Sequence, residues 1–340
     1  MAQNQTADAG CDDADGNAGA ADAADAACAA DAADAAGTAE AQAQAQAEAA
    51  SLRPVVTEDV ARRLIDSQFP QWSALPLTPV VPGGSDHAIF RLGTELTVRL
   101  PRHAGAMRQA RKEAAWLPRL APQLPLETPL PEAVGTPGLG YPWSWAVHRW
   151  MPGEPATADT LADSVECAQT LAEFVTALQR CAIDGAEDDP DVRGGTQLAA
   201  RNADTRAAIV RTAGTFDATA MTEVWDAALA APAWDRPPVW VHGDFHTGNI
   251  LTRAGRVAAV LDFGELAVGD PAPDTMIAFT LLGTKTREVY RSALGVDDAT
   301  WARGRGWALV GGLNAYVSYA AVNPWVEAVT TRQIRAAIAG

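Results

Sequence analysis

The sequence predicts an α+β fold of two lobes, preceded by a disordered tail. Three observations support this. Residues 1–50 contain 24 Ala and ten acidic residues but no Lys, Arg, Leu, Ile, Val, Phe, Tyr or Trp, so they lack the apolar surface that folding requires. The next hundred residues alternate short apolar runs with Gly and Pro, which is typical of strands. The remainder mostly shows the apolar spacing of helices. Strands segregated from helices in this way indicate an α+β architecture.

The first predicted lobe covers residues 51–150. Apolar spacing after Thr57 predicts a helix that Thr57 caps, and a second helix is expected at Ala104–Leu120. Strands are expected at Val80–Val81, Ala88–Leu92, Glu95–Leu100 and Tyr141–Met151. Pro-rich segments, including one from Pro122 to Pro131, are expected to be linkers.

The second predicted lobe covers residues 151–340. Apolar residues recur every three to four positions from Leu161 to Leu178, which predicts an amphipathic helix beginning near Asp159 or Thr160. Further helices are expected at Asn202–Ile209, Ala220–Leu229 and residues 274–339. A strand-loop-strand element is expected between Val239 and Leu261. The junction of two lobes is a natural place for a ligand cleft.

Charge and cysteine usage exclude several classes of function. Residues 1–50 carry ten acidic residues and no basic one, so without them the net charge changes from −16 to −6. A body of that sign is a poor candidate for binding nucleic acid. Cys167 and Cys181 are too far apart for a zinc pair motif, and Cys11 and Cys28 lie in the tail. The tail lacks the features of a secretory signal and no run is apolar enough for a membrane span, so we expect a cytoplasmic protein.

The most informative segment combines two polar motifs around a predicted hairpin. His242-Gly243-Asp244 is followed by Asn249, and Asp262-Phe263-Gly264 comes 13 residues after Asn249. A hairpin between these motifs would bring Asp262 close to Asn249, with Asp244 on the same rim. Phosphoryl transfer requires such a set: Asn249 and Asp262 can supply oxygen ligands to Mg²⁺. Asp244 can then orient an incoming hydroxyl and accept its proton.

These motifs together resemble those of the aminoglycoside phosphotransferase family, which includes macrolide phosphotransferases. Gly243 stands where protein kinases have Arg, and Gly269-Asp270-Pro271 with Asp274 resembles the family's next segment. The resemblance covers nearly all of residues 52–335 and implies a protein-kinase-like fold. It implies ATP, with GTP as an alternative, and Mg²⁺ as cofactors. The implied reaction transfers the γ-phosphoryl group to a hydroxyl of a small molecule, above all an aminoglycoside or related antibiotic. No nucleic-acid, membrane or protein partner is implied.

The resemblance also assigns nucleotide-binding residues in the first lobe. Small residues let the backbone approach phosphate oxygens, and the matching loop residues are Gly83, Gly84 and Ser85. Arg99 stands where a phosphate-contacting Lys is expected, and Glu113 is its expected partner. Alternation along the strand directs Arg99 away from Val98 and Leu100, toward the cleft. The adenine is expected along a hinge strand that contains His148 and Trp150.

Other functions remain open at this point. A catalytically weak, nucleotide-binding regulatory protein is favoured only by Arg99, and kinases of choline or homoserine share the implied fold. A protein kinase is disfavoured by Gly243, and zinc binding by His242 and His246 is disfavoured because Gly243 and Gly248 oppose a helix there. For the acceptor, an acidic loop would suit a polycation, whereas three tryptophans offer material for an apolar cavity. The loop residues are Asp184, Glu187, Asp188, Asp189 and Asp191, and the tryptophans are Trp301, Trp307 and Trp325.

Overall fold

A computed structural model describes residues 54–81, 83–84, 86–195 and 197–340. The predicted tail, residues 1–50, lies outside the described residues. The predicted helix after Thr57 is present as α1 (Glu58–Gln68), and the Thr57 side chain accepts a hydrogen bond from the backbone N–H of Val60.

The sheet lobe contains α1, a five-stranded sheet and the long helix α2. Its strands are β1 (Leu77–Pro79), β2 (His87–Leu92), β3 (Leu96–Pro101), β4 (Pro131–Gly135) and β5 (Trp145–Arg149), and α2 is Ala104–Leu120. The strand order is β1-β2-β3-β5-β4, and all pairs are antiparallel. Arg99 lies opposite Ile89 on one side and Ala146 on the other, so these side chains share one face of the sheet.

Two strand predictions in this lobe differ from the structure. Val80 and Val81 follow β1 instead of forming it. The Pro-rich segment after Pro122 is not only a linker, because it ends in β4. Pro131 is tolerated because β4 is an edge strand and Pro131 is its first residue, where no ladder hydrogen bond is required of its nitrogen.

The helical lobe begins after β5. Its helices are α3 (Ala158–Leu161), α4 (Val165–Arg180), α5 (Asn202–Thr212), α6 (Ala218–Ala230), α7 (Ile277–Thr280), α8 (Thr284–Leu294), α9 (Asp298–Tyr319) and α10 (Pro324–Ala339). Short strands join them: β6 (Glu154–Pro155), β7 (Val239–Val241), β8 (Ile250–Arg253), β9 (Arg256–Val260) and β10 (Ala267–Gly269). The predicted helix from Asp159 is divided, because Ser164 caps a new helix by accepting from the Cys167 N–H.

Two apolar clusters form the interior, and α2 contacts both. Met107 packs against the smaller cluster, which holds α1 and the sheet, whereas Trp116 and Leu117 belong to the larger cluster of the helical lobe. The predicted α+β fold, with an antiparallel sheet before a helical region, is therefore confirmed. None of the helices in the described part of the chain has the length and apolarity that a membrane span needs.

Candidate active site

The loop after β7 is held in place by a buried carboxylate. Asp274 is fully buried and accepts hydrogen bonds from the backbone N–H groups of His242 and Gly243, each at 2.9 Å. Gly243 has φ +82°, and a Cβ there would lie 2.3 Å from the carbonyl oxygen of Glu265. Only glycine fits this turn. The loop therefore presents Asp244 at a fixed position.

His242 braces the loop from inside and does not act as a metal ligand. Its Nδ1 accepts from the backbone N–H of Asp244 at 3.3 Å, so its Nε2 carries the proton and donates to the carbonyl of Leu261 at 2.9 Å. Burial lowers the pKa of this imidazole, which keeps the ring neutral. Both ring nitrogens are occupied, which rules out the zinc alternative at this residue.

The Asp244 carboxylate is partly exposed and has two polar neighbours. Its Oδ2 lies 3.3 Å from Nε2 of His246 and accepts from the Asn249 amide at 3.2 Å. Burial acts to raise the pKa of this carboxyl, but His246 above all, together with His242 and the hydrogen bond from Asn249, outweighs burial and lowers the pKa to about 2. Asp244 is therefore ionised at neutral pH. The same Asp244 charge raises the pKa of His246 against the effect of burial.

The predicted hairpin is present and brings the two motifs together. β8 and β9 pair antiparallel, and the Leu261 N–H donates to the carbonyl of Asn249 at 2.8 Å. The next residue, Asp262, has the left-handed backbone φ of 57° and accepts from the Gly264 N–H. Burial raises the pKa of the Asp262 carboxyl, but the Arg99 charge outweighs this and lowers the pKa. Asp262 is therefore an anion beside the cleft.

Arg99 and Glu113 form the predicted pair. Nη1 of Arg99 lies 3.3 and 3.1 Å from the two carboxylate oxygens of Glu113, and Nη2 lies 3.5 Å from Oδ1 of Asp262. Glu113 also accepts from the backbone N–H of Phe263 at 2.9 Å. One ion pair thus joins β3, α2 and the segment after β9. Burial raises the pKa of the Glu113 carboxyl, whereas the contacts with Arg99 and with the Phe263 N–H favour its charged form.

The other predicted nucleotide-binding residues occupy different surroundings. His148 is buried behind the ion pair, with Nε2 3.9 Å from Glu113, and burial lowers its pKa to about 3. Trp150 follows β5, and the Arg91 guanidinium lies 3.9 Å from the centre of its ring. Gly84 faces a small cavity, Gly83 lies next to it in the chain, and Ser85 lies outside the described residues.

Asp244 lies where three cavities meet. A cavity of about 170 Å³ on the sheet-lobe side is lined by Gly84, Arg99, Asp262 and Asp244. On the helical side, chambers of about 320 and 480 Å³ both include Asp244, and they share Met276, Gly311 and Asn314. A group bound on one side of Asp244 can therefore meet a group bound on the other.

Sequence reasoning missed several features of this site. His246 was weighed only as a zinc ligand, although its position two residues after Asp244 in an extended loop was a signal that it could reach the carboxylate. The chamber walls contributed by α9 and α10 had no sequence motif. The acidic loop does not line the chambers beside Asp244. Instead, Asp189 accepts from the Trp116 indole at 2.8 Å and Asp191 pairs with Arg111 at 2.7 Å, so this loop holds α2.

Comparison with known proteins decides the family. The sequence model of the phosphotransferase enzyme family (APH) matches residues 77–307, which is more than half of the chain. The chain belongs to the phosphotransferase enzyme family. The match includes both motifs around the hairpin and the Arg99–Glu113 pair.

One curated relative matches the chain at low identity. The uncharacterized protein YcbJ of Bacillus subtilis (strain 168) is 26% identical over 208 residues, which cover 57% of this chain and 65% of that protein. The chain thus spans about 65% of the length of this curated relative.

Solved structures share the fold of this chain. The GDP and kanamycin complex of APH(2")-IIIa has a TM-score of 0.66 at 18% identity and covers 81% of this chain and 97% of that one. Macrolide 2'-phosphotransferase MphH from Brachybacterium faecium has a TM-score of 0.54 at 23% identity, with coverage of 82% and 98%. The predicted protein-kinase-like fold and the resemblance to this family are therefore confirmed.

Proposed function

We propose that this phosphotransferase moves the γ-phosphoryl group of ATP to a hydroxyl group of a small molecule, with GTP as an alternative donor. The observation that carries the proposal is the position of Asp244 between a polar cavity lined by Arg99 and Asp262 and two larger chambers. The donor would occupy the first and the acceptor the others. An aminoglycoside or related antibiotic is the first acceptor class to test, because kanamycin is bound in a structural neighbour.

The polar cavity suits the phosphate groups of a nucleotide. Arg99 is fixed by Glu113 and supplies a planar fork of donors. Gly84 also lines this cavity, and because it has no side chain its backbone can approach phosphate oxygens. The family resemblance assigns His148 and Trp150 to the hinge strand beside the adenine. We assign the adenine to their backbone groups, since the His148 ring is buried behind Glu113.

The side-chain oxygens at this site fit a magnesium ion that is bound partly by the protein and partly by the phosphates of the nucleotide. In the described residues, no three His, Cys, Asp or Glu side chains converge into a closed cation site. Asp262 and Asn249 would therefore supply only part of the coordination sphere. This is typical of Mg²⁺, which usually retains several water ligands and binds phosphate oxygens as well. Bound there, the metal would neutralise charge on the transferring group.

Asp244 is suited to orient the acceptor hydroxyl. It is ionised at neutral pH because its pKa is about 2, and His246 and Asn249 restrict its rotation. A carboxylate of such low pKa is a weak base. Its contribution is therefore to align the hydroxyl and to accept the proton late, as a loose phosphoryl-transfer transition state allows.

The regulatory alternative has less support. It was favoured by Arg99 in place of Lys, but Arg99 contacts Glu113 and faces Asp262. The position thus retains the ion pair that an active kinase-like site requires.

The test is MgATP-dependent product formation, measured by mass, over kanamycin, a macrolide, choline, homoserine and sugars. We expect one class to gain the mass of a phosphate group. The gain should disappear in Asp244→Ala and persist in Asp188→Ala, whose carboxylate is exposed on the acidic loop. Product formation by Asp244→Ala at the wild-type rate would contradict the proposal, as would ATP binding without transfer to any acceptor.

A further inference from the structure

We propose that His87 is a phosphate-binding residue of the donor cavity, where its imidazole donates a hydrogen bond to a phosphate oxygen of the bound nucleotide. The assignment rests on the proposed function, since it concerns the cavity given there to the nucleotide. Three observations carry it: the face of the sheet on which His87 lies, its unpaired ring nitrogen, and the contacts that already engage Arg99.

His87 lies on the face of the sheet that forms the cavity wall. It begins β2, and Ile89 is two residues further along the same strand, so both side chains point to one face. Ile89 lies opposite Arg99 of β3, and cross-strand partners share a face. All three residues line the cavity of about 170 Å³ that also contains Asp244 and Asp262. The imidazole is therefore in the same wall as Arg99.

One ring nitrogen of His87 has no hydrogen-bond partner. The residue is 4% exposed, and no group in the described part of the chain bonds its Nε2. Burial, together with the nearby Arg99 charge, lowers the pKa of the imidazole to about 3, so at pH 7 the ring is neutral and carries one N–H donor. A buried polar group without a partner is costly and in a native structure is exceptional. A phosphate oxygen in the cavity would give this N–H an acceptor.

Part of the Arg99 fork is already engaged by carboxylates. Its Nη1 contacts both oxygens of Glu113, and its Nη2 lies 3.5 Å from Oδ1 of Asp262. The acidic residues in the cavity wall are Asp86, Asp244, Asp262 and Glu265. A polyphosphate that enters beside these carboxylates needs further donors, and a neutral imidazole can supply one without burying another charge. His87 thus supplements Arg99 on the same wall.

The first test compares two substitutions at His87 by calorimetric titration with MgADP, or with MgGDP where that nucleotide binds more tightly. Leucine fills a similar volume without a donor, whereas the glutamine amide can donate. We expect His87→Leu to bind the nucleotide about tenfold more weakly than the wild type, as the loss of a hydrogen bond to a charged group predicts. His87→Gln should stay within about threefold of the wild type. A residue that only packs would favour leucine over glutamine.

Val98→Ala is the matched control for lost stability. Val98 is fully buried and lies next to Arg99 in β3, so its side chain is on the other face of the sheet. This variant should unfold more easily than the wild type and retain the wild-type Kd for the nucleotide.

A measurement on the unaltered protein does not depend on the folding of any variant. The chain has five histidines, so the imidazole nitrogens of ¹⁵N-histidine-labelled protein can be followed by NMR during titration. We expect the His87 ring nitrogens to shift when MgADP is added and to stay in place with adenosine, which has no phosphate.

Three results would overturn the role of His87 alone: nucleotide binding by His87→Leu within threefold of the wild type, an equal loss of affinity in Val98→Ala, or His87 nitrogens that do not shift with MgADP. Weaker binding by His87→Gln than by His87→Leu would do the same. Wild-type protein that binds neither MgADP nor MgGDP would contradict the proposed function and the role of His87 together.

Discussion

Arg99 shows how one residue can connect three parts of the fold. A lysine at this position would offer a compact point charge, whereas the arginine fork contacts both oxygens of Glu113 and also faces Asp262. Glu113 is almost fully buried, at 1% exposure. Its charge is tolerated there because Arg99 and the Phe263 N–H compensate it.

Removing Arg99 should therefore destabilise the whole protein. Arg99→Met leaves the Glu113 carboxylate buried without its cation, and we expect the free energy of unfolding to fall by about 3 kcal/mol. Urea unfolding at pH 8 measures this change. Arg108→Met, at an exposed position of α2, the helix that carries Glu113, should change it by less than about 0.5 kcal/mol. A loss below about 1 kcal/mol for Arg99→Met would show that the pair contributes little.

His148 should make stability depend on pH. Its pKa is about 3 in the folded protein because of burial, against 6.5 ordinarily, so below pH 6.5 the unfolded chain binds a proton that the folded chain does not. The wild type therefore loses stability as pH falls toward 3. Relative to the wild type, the free energy of unfolding of His148→Leu should therefore be higher by about 2 kcal/mol at pH 5 than it is at pH 8. An equal difference from wild type at both pH values, measured by denaturant unfolding, would contradict the neutral buried state.

Among the elements, the loop after β7 has a conformation that requires glycine at the position before Asp244. An arginine, as in protein kinases, would need a Cβ where the Glu265 carbonyl lies. The backbone of this loop is held by Asp274 from the segment before α7. The position of Asp244 is thus set by the backbone.

Gly243→Ala should displace Asp244 and lower kcat at least tenfold, while ATP affinity stays close to that of the wild type. Gly255→Ala is the matched control, because Gly255 also has a positive φ, +76°, but its Cβ would meet nothing within 4 Å. That variant should lose about 1 kcal/mol of stability from backbone strain and retain its kcat. Steady-state kinetics with an identified acceptor measure kcat for both variants. Equal kcat values in Gly243→Ala and Gly255→Ala would contradict this explanation of the loop.

The sequence predicted the long elements well and the short ones poorly. Helix α2 has the bounds that its composition predicted, and the β8–β9 hairpin lies between the two polar motifs as expected. The two-residue strand β6 was missed, since so short a segment carries no periodic signal. Alternation along β3 indicated that Arg99 lies on the face away from Val98 and Leu100, and the family resemblance, not a local pattern, supplied Glu113 as its partner.

Contacts between segments that are far apart in the chain could not be predicted from the sequence. The acidic loop was weighed as an acceptor site, but Asp189 and Asp191 bind residues of α2 that lie 73 and 80 positions earlier in the chain. The acceptor chambers likewise depend on how α9 packs against α10. Local patterns of charge and spacing do not encode either arrangement.

At the scale of the whole molecule, α2 is the common support. It carries Glu113 toward Arg99, its Gln109 donates to Glu265 at 3.0 Å, and its Trp116 lies 4.9 Å from the Trp240 ring. This one helix therefore contacts both the sheet and the helical lobe.

The residues before α1 should not be needed for this assembly. Deleting residues 1–53 removes a segment with almost no large apolar side chains, so we expect an unchanged Tm and unchanged transfer. Deleting residues 1–68 also removes Leu64 and Ile65, which are fully buried, and should lower Tm by ten degrees or more, since each such side chain contributes about 2 kcal/mol or more. A large fall in Tm on the shorter deletion would give the tail a structural role.

We propose that Asp244 acts on the acceptor and not on the nucleotide. The most direct measurement is the single-turnover rate of phosphoryl transfer by Asp244→Asn, beside its Kd for ATP, with Asp188→Asn as the control. We expect transfer to slow by about 100-fold or more, while the Kd stays within about threefold of the wild type and the control matches the wild type in both. Transfer within tenfold of the wild-type rate, or a loss explained wholly by weaker ATP binding, would contradict the account.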